Sequence, residues 1–564
     1  MNKRMTLILS GLVVLVSALP AFAWVGTEDL GTYDPLDILA PFNQTGVRTL
    51  SADTLYTLYG LYYVEAGATL NIPAGTVVQG VPGATFVIKP GATINATGTA
   101  HSPVILTSSQ PAGSRNPGDW GGVVILGNAP VNKDNPLIEG GIIDGTYGGN
   151  DPDDSSGVFK YVRIEFPGYR FQLNNEINGL TMGGVGRGTE IHHVQVSYSF
   201  DDSYEWFGGT VNAKYLVAFG GTDDVFDTDF GYQGRVQFAL DCRDPYVWDA
   251  AGTSNGFECD NDGTGSLTEP RTWPVFSNVT MCGPQAFLPD LVVGHKFGSS
   301  ALIRLSARTS IFNSVIMGYP YGMEIVNSET QDDAWTDTLR VRNLSLAGSL
   351  EKTPGSIHRT DKWADVTTWF DRMTPGYSID YNNLGTAPRT AADLNLLGGY
   401  PLNLNAPNPV PGPGSELVGS ADFSDSYLSD PHFDVVSYRG AFDPAAKSMD
   451  AQWTAGWTNF DPQNSDYGAL SPVAEVPSVQ AGLDNYPNPF NPSTTLKFSV
   501  PKAGHVTLSV FDVRGRIVAN LHDGELEKGV YTRQFDGEGL PSGTYFYRLS
   551  GQGFEVTQKM QLVK

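Results

Sequence analysis

An all-β solenoid, a right-handed parallel β-helix, is the fold this sequence predicts for most of its 564 residues. Three observations carry it. Short β-branched runs alternate with Gly turns, without the periodicity of helices. The pattern recurs at intervals of 22 to 24 residues, too short for a propeller blade and right for one coil of a solenoid. Apolar residues then fall at matched positions in successive coils, as a stacked core requires.

Taken in order, the chain opens with Lys3 and Arg4, an apolar run from Met5 to Leu19, and Ala21-Phe22-Ala23. That is the layout of a secretory signal peptide over residues 1–23, with Trp24 as the mature N-terminus. The run is shorter than the roughly 20 apolar residues a bilayer span needs. No other segment is apolar enough, so no transmembrane segment is expected in the mature chain.

The β-helix body is assigned to residues 24–462. Its first repeat pairs Glu65-Ala66-Gly67-Ala68-Thr69-Leu70-Asn71-Ile72 with Lys89-Pro90-Gly91-Ala92-Thr93-Ile94-Asn95-Ala96, 24 residues on. In the middle, Asn178–Met182 aligns with Asp202–Trp206, Asp224–Thr228 and Asn255–Cys259, at offsets of 24, 22 and 31. The long third interval predicts an outward loop near Arg243 to Ala251. Leu302–Leu305 and Tyr321–Ile325 continue the series. Strand alternation then places Leu180, Tyr204, Phe226, Phe257, Ile303 and Met323 in one inward column. Met182, Trp206, Thr228, Cys259, Leu305 and Ile325 form a second, and Thr181, Glu205, Asp227, Glu258, Arg304 and Glu324 face outward between them. Arg304 would pair with Glu258 and Glu324.

From about residue 327 the rhythm breaks. Short helices are expected at 367–371 and 391–397, and Pro407–Gly414 must be a loop. This region is expected to cap or flank the solenoid, whose open ends would otherwise expose unpaired strand edges. Residues 463–481 read as a linker.

The last segment, 482–564, opens with Leu483-Asp484-Asn485-Tyr486-Pro487-Asn488-Pro489-Phe490-Asn491-Pro492-Ser493-Thr494. It ends with Gly543-Thr544-Tyr545-Phe546-Tyr547 and Lys559-Met560-Gln561-Leu562-Val563-Lys564. This resembles the C-terminal sorting domain (type A) of the type IX secretion system. The resemblance implies an immunoglobulin-like β-sandwich, a partner in the type IX secretion machinery, and delivery to the outer surface of the bacterial outer membrane or the medium. The body, through Gly121–Gly127, Asn175–Gly179, Trp206–Lys214 and Trp453–Phe460, looks like a family of secreted β-helix proteins found alongside that sorting domain. That likeness implies fold and location and assigns no catalytic residue.

The net charge is -25. Losing Lys3 and Arg4 takes it to -27; the last 83 residues hold nine Lys/Arg against eight Asp/Glu, so residues 24–481 carry -28. Such a body repels nucleic acid and anionic lipid, which argues against them as partners. Three cysteines are too few for a disulfide scaffold, and their spacings of 17 and 23 match no zinc pattern. Cys259 falls in an inward column as an inert thiol. Cys242 with Cys282 is the better pair.

The acids concentrate at Asp201, Asp202, Glu205, Asp223, Asp224, Asp227 and Asp229. Carboxylates stacked on neighbouring rungs about 4.8 Å apart repel. A divalent cation, calcium by preference, would offset that repulsion with the oxygen ligands it favours; Asp residues solvated or capping turns are the competing explanation. The chain has no G-x-S-x-G elbow, P-loop or HExxH helix. It also lacks the Gly-His-Gly and paired basic runs of polygalacturonases; Val293-Gly294-His295-Lys296 stands alone. His192-His193 reads as surface. Tyr56, Tyr59, Tyr62, Tyr63, Tyr161, Tyr169, Trp120, Trp248 and Trp273 are candidates for a sugar-stacking platform. The sequence thus points to an exported cell-surface or secreted binding or adhesion protein, with surface or extracellular polysaccharide as a candidate ligand that the sequence does not identify. The alternative is a polysaccharide-degrading lyase or glycoside hydrolase, which a recess of convergent carboxylates with a basic residue would favour.

Overall fold

The structure is a computed structural model. It describes residues 24–467 apart from 35–36, 173–174, 250–251, 292–295, 349–368, 371–382 and 384–389, and residues 483–564 apart from 487, 501–503, 527–528 and 552–553. The expected signal peptide, the linker beyond 467, the Val293–His295 fragment and most of the expected helix at 367–371 lie outside the described residues. The chain divides into a body ending at Gly468 and a C-terminal unit beginning at Ala469.

Each coil of the body sends one strand to each of two parallel sheets. One sheet stacks ten strands, among them Thr85–Ile88, Gly122–Leu126, Leu180–Gly183, Tyr204–Phe207, Phe226–Asp229, Phe257–Cys259, Ser299–Ile303 and Tyr321–Ile325. The other holds sixteen, including the long Gly157–Glu165, Glu190–Ser197, Ala213–Phe219, Arg235–Cys242 and Val275–Cys282. This is the all-β, parallel β-helix that the repeats predicted. The early repeat pairs as aligned, Thr69 with Thr93 and Leu70 with Ile94, and Asn95 Nδ2 donates to Asn71 Oδ1 at 2.9 Å.

The long strands bend at one left-handed residue per coil: Tyr161, His193, Tyr215, Phe238 and Asn278 all have φ between 50° and 59°. The ladder skips them, joining Lys160 to His192 and then Val162 to Val194. The kink falls one-to-one on successive strands, so the register is kept while each long strand turns through a corner. A non-glycine residue there costs about 1–3 kcal/mol, and stacking offsets part of it. Tyr161 and His193 lie 4.3 Å apart, His193 and Tyr215 4.4 Å, and Tyr215 and Phe238 5.2 Å between ring centres.

The inward columns form as expected through the first four rungs. Leu180, Tyr204, Phe226 and Phe257 are in register and fully buried. Phe226 sits 5.7 Å from Tyr204 and 5.3 Å from Phe257. The next rung is displaced by two residues from the expected alignment. Cys259 pairs with Ile303 and Glu258 with Leu302, so Ala301 continues the first column and Ile303 the second. Arg304 therefore leaves the outward column, and Leu305 leaves the core columns. A two-residue slip preserves the alternation of faces, so the hydrophobic pattern alone could not detect it.

Residues 415–467 form a strap that runs back along the corner. Asn313 exchanges amide hydrogen bonds with Asp422, Gln237 with Asp434, and Gln195 with Asn459, at 2.7–3.0 Å. Trp453 and Trp457 pack on the aromatic corner residues. The region beyond 327 thus flanks the solenoid. The strap extends past the expected boundary at 462: Arg115 Nη1 donates to the carbonyls of Pro462 and Ser465, and the Tyr467 hydroxyl donates to Glu165 at 2.7 Å. Residues 463–467 therefore belong to the body and not to a linker.

Cys242 and Cys282 stand in register on adjacent rungs, and all three cysteines are buried free thiols. Of the expected aromatic platform, Tyr56, Tyr62, Tyr63 and Trp120 are buried and cannot meet a ligand. Their rings fill the solenoid or its flank.

The C-terminal unit has two antiparallel sheets, one of three strands and one of four. Their inner faces bury Phe490, Leu496, Phe498, Leu508, Tyr547, Met560 and Leu562 as one core, which makes the expected sandwich. The last strand, Phe554–Leu562, pairs along its whole length with Gly543–Gly551.

Candidate metal centre

The outward column supplies the floor of the site. Glu205, Asp227 and Glu258 are in register on consecutive rungs of the ten-stranded sheet. The turns that lead into the first two of these rungs carry Asp201-Asp202 and Asp223-Asp224. Three excursions build walls around this floor. The long connection after Gly122–Leu126 brings Glu139, the hairpin of 170–176 brings Arg170 and Glu176, and the loop after Arg235–Cys242 brings Asp249, Gly252 and Thr253. Together they enclose a cavity of about 380 Å³ lined by ten carboxyl groups and one guanidinium. That guanidinium is committed, since Arg170 Nε donates to Glu176 in a short bond.

Two groups of carboxylate oxygens converge, Asp201 with Asp202 and Asp223, and Asp202 with Glu205 and Asp227, each within 4.8 Å. Calcium binds oxygen at 2.3–2.6 Å, so ligands of one ion lie at most about 5 Å apart, and both groups meet that limit. Asp202 belongs to both. Its Oδ1 also accepts from the Asp224 amide at 2.8 Å, which fixes the carboxylate. Asn178, 1 % exposed, donates to Glu205 in a short bond and to Glu139 at 3.2 Å. Its own Oδ1, like Oδ1 of Asp227, is buried without a hydrogen-bond partner. Both are of the oxygen type a hard cation takes.

Burial of these acids raises their pKa, and their neighbours raise it further. Desolvation pushes Asp202, Glu205 and Asp227 well above the usual carboxylate range, and the charges of Asp201, Glu139 and Glu258 respectively add to it. Asp224 rises to about 7, mainly by burial and the charge of Asp223, against a lowering bond from the Asn255 amide. Asp202, Glu205 and Asp224 are 7 %, 6 % and 5 % exposed, so solvation does not account for these acids. A cation would relieve them; without one the neutral, protonated form is favoured over the charged one relative to a free carboxylate.

Six of the seven acids expected at the site are brought together. Asp229 is not: it ends its strand away from the cavity, and Oδ1 accepts from the Phe230 amide at 2.6 Å. Arg304 reaches Glu258 in a short bond and Asp260 at 3.0 Å, while Glu324 accepts from Ser299 at 2.5 Å. The expected ladder from Arg304 to Glu324 does not form. Glu139, Glu176, Asn178 and Asp249 were missed. Glu139, Glu176 and Asp249 come from loops outside the repeat and Asn178 from a position read only as a strand start, and none carries a local motif. His192-His193 stands apart at the corner. His193, its pKa lowered to about 3 by burial and by His192, is neutral.

Residues 43–382 match the family described as a pectate-lyase like beta helix domain. Residues 484–563 match the secretion system C-terminal sorting domain. No curated protein matches the chain. No helix among the described residues is long and apolar enough to cross a membrane.

Proposed function

The chain belongs to the pectate-lyase-like β-helix family and ends in a type IX sorting domain, so it is exported and held at the outer membrane surface or released; from that premise we propose that it is a calcium-loaded binding protein for extracellular polysaccharide. The acidic cavity carries this reading. Its two oxygen groups, sharing Asp202, each fit one divalent ion, and bound cations would offset the charge of the carboxylates gathered around one paired arginine. The loops that wall the cavity hold its acids together, so bound calcium would stiffen the central coils.

Cleavage is the second reading. It is favoured by the recess itself, since Arg170 and convergent carboxyl groups with raised pKa values are what acid–base chemistry on a sugar chain uses. Arg170 is tied to Glu176, however, and the oxygens crowd as metal ligands do. Binding therefore stands first. Calcium titration by calorimetry, on wild type and Asp202→Asn, tests the cation; a glycan array with and without chelator tests the polysaccharide. Heat of calcium binding that persists undiminished in Asp202→Asn, or is absent in wild type, refutes the metal centre. Release of reducing ends or unsaturated products would promote the second reading.

A further inference from the structure

A second recess lies on the other sheet, between the starts of its long strands and the strap. It consists of two hollows of about 600 and 470 Å³ that share Arg187 and Asn212. The floor climbs the solenoid one coil at a time, through Arg187, then Thr210 and Asn212, then Gln233 and Arg235, then Trp273 and Val275. Neighbouring coils lie about 4.8 Å apart, so polar groups repeat along the groove at that step. The far wall is the strap segment 426–432.

The charge here differs from that of the body. Arg187, Lys214 and Arg235 face the groove against Glu190 and Asp430, a net of +1 in a body of -28. Each cation already has a carboxylate: Arg187 with Asp153 at 2.8 Å, Lys214 with Asp434 at 2.8 Å, and Arg235 with Asp430 at 3.5 Å. What the groove offers is hydrogen bonding and aromatic surface with little free charge. Trp273 and Tyr427 are half-buried and meet edge-to-face at 5.7 Å. Arg308 lies 5.1 Å from the centre of the Trp273 ring and Arg340 3.7 Å from that of Tyr427, which holds both rings in place. Arg235 Nε faces Asp430 Oδ2 at 3.5 Å and Nη1 donates to the Gln233 carbonyl at 2.6 Å, while the side chain keeps 32 % of its surface exposed. Ring surfaces beside fixed polar groups, in a recess of this size, are what binding sites for small polar ligands show.

We infer that this groove is the polysaccharide subsite, and that it takes a linear, uncharged glycan lying along the solenoid axis. The inference rests on the reading of the protein as a polysaccharide binder and separates the glycan groove from the metal centre. A neutral chain suits it because a sugar hydroxyl can accept from the exposed part of the Arg235 guanidinium and a pyranose face can lie on Trp273, while no free charge needs a counter-ion. A polyuronate would be repelled by the acidic body around it.

The test is calorimetric titration of residues 24–481 and of the full chain with hexasaccharides of neutral β-linked glucose, xylose and mannose, and with hexagalacturonate. Binding of one neutral hexasaccharide is expected in buffer with chelator as well as with calcium. It should fall at least tenfold in Trp273→Ala and in Arg235→Met. Thermal melts identify any variant that has lost its fold, and the second variant then decides. Binding that survives both groove substitutions but vanishes in Asp202→Asn overturns the inference and leaves the proposed function standing. Binding of hexagalacturonate alone overturns it likewise. No binding of any glycan by a wild type that does bind calcium overturns both the groove and the polysaccharide part of the function, and spares the metal centre.

Discussion

Removing divalent cations should make this protein lose stability as pH rises from 4 to 8, and calcium should reverse the loss. The sign follows from the direction of the shifts. Asp224 titrates near 3.8 in the unfolded chain and at about 7 in the fold. Well below pH 3.8 both states hold the proton and the group is neutral to stability. Between the two values only the unfolded chain gives it up, so unfolding gains. At about 1.4 kcal/mol per pKa unit, Asp224 alone removes about 4 kcal/mol by pH 8. Asp202, Glu205 and Asp227, raised for the same reason, act in the same direction. With about 2.1 cal/mol/K per residue, the body's roughly 440 residues give an unfolding entropy near 0.9 kcal/mol/K, so 4 kcal/mol is about 4 °C in Tm. One calcium at a hundred times its Kd restores about 2.7 kcal/mol, or about 3 °C, and two ions twice that. The assay is differential scanning calorimetry at pH 4, 6 and 8, with chelator or millimolar calcium, on wild type and Asp227→Asn. The variant should melt higher than wild type in chelator at pH 8, because Asn has no proton for the unfolded chain to release, and should gain less from calcium. A chelated wild type whose Tm is level or rises from pH 4 to 8, and ignores calcium, would falsify the account of the cavity.

Three further outcomes follow from the packing. Phe226→Ala leaves a void between Tyr204 and Phe257 and should cost about 3–5 kcal/mol, read by denaturant unfolding of the body; a loss under 1 kcal/mol would mean the column is not stacked as described. Gln237→Ala removes both amide bonds to Asp434, at about 1–3 kcal/mol for the groups left unpaired, and should raise hydrogen exchange in the strap around 430–440 while the inner strands stay protected. Deleting residues 558–564 removes Met560 and Leu562 from the sandwich core and the pairing of the last strand; fractionation should then find the protein in the periplasm, and unchanged surface display would contradict the role of that strand.

Much of the body could be read directly because a solenoid writes its tertiary structure into local sequence. Tyr204, Phe226 and Phe257 recur at the spacing of a coil, and a residue's rung neighbour is the residue one period away. The same redundancy explains the failure at 301–305. Moving Ile303 from one inward column to the next leaves every side chain on its proper face, so no apolar pattern penalised the wrong register. The floor acids Glu205 and Asp227 were legible for the same reason as the core: they alternate with it.

What the sequence by itself determined is therefore the repeating part, the coil period, the inward and outward faces, the acidic floor and the sorting domain with its terminal strand. Only the tertiary structure decided that the floor is a cavity, because Glu139, Glu176 and Asp249 are carried onto it by excursions that obey no period. It also decided that Asp229 stays outside, since a two-residue step along a strand carries a side chain beyond the reach of one ion. The strap was settled in the same way. Gln195, Gln237 and Asn313 find their partners 109 to 264 residues away, and contacts made across such distances arise from where the chain folds back, which no local pattern of residues encodes.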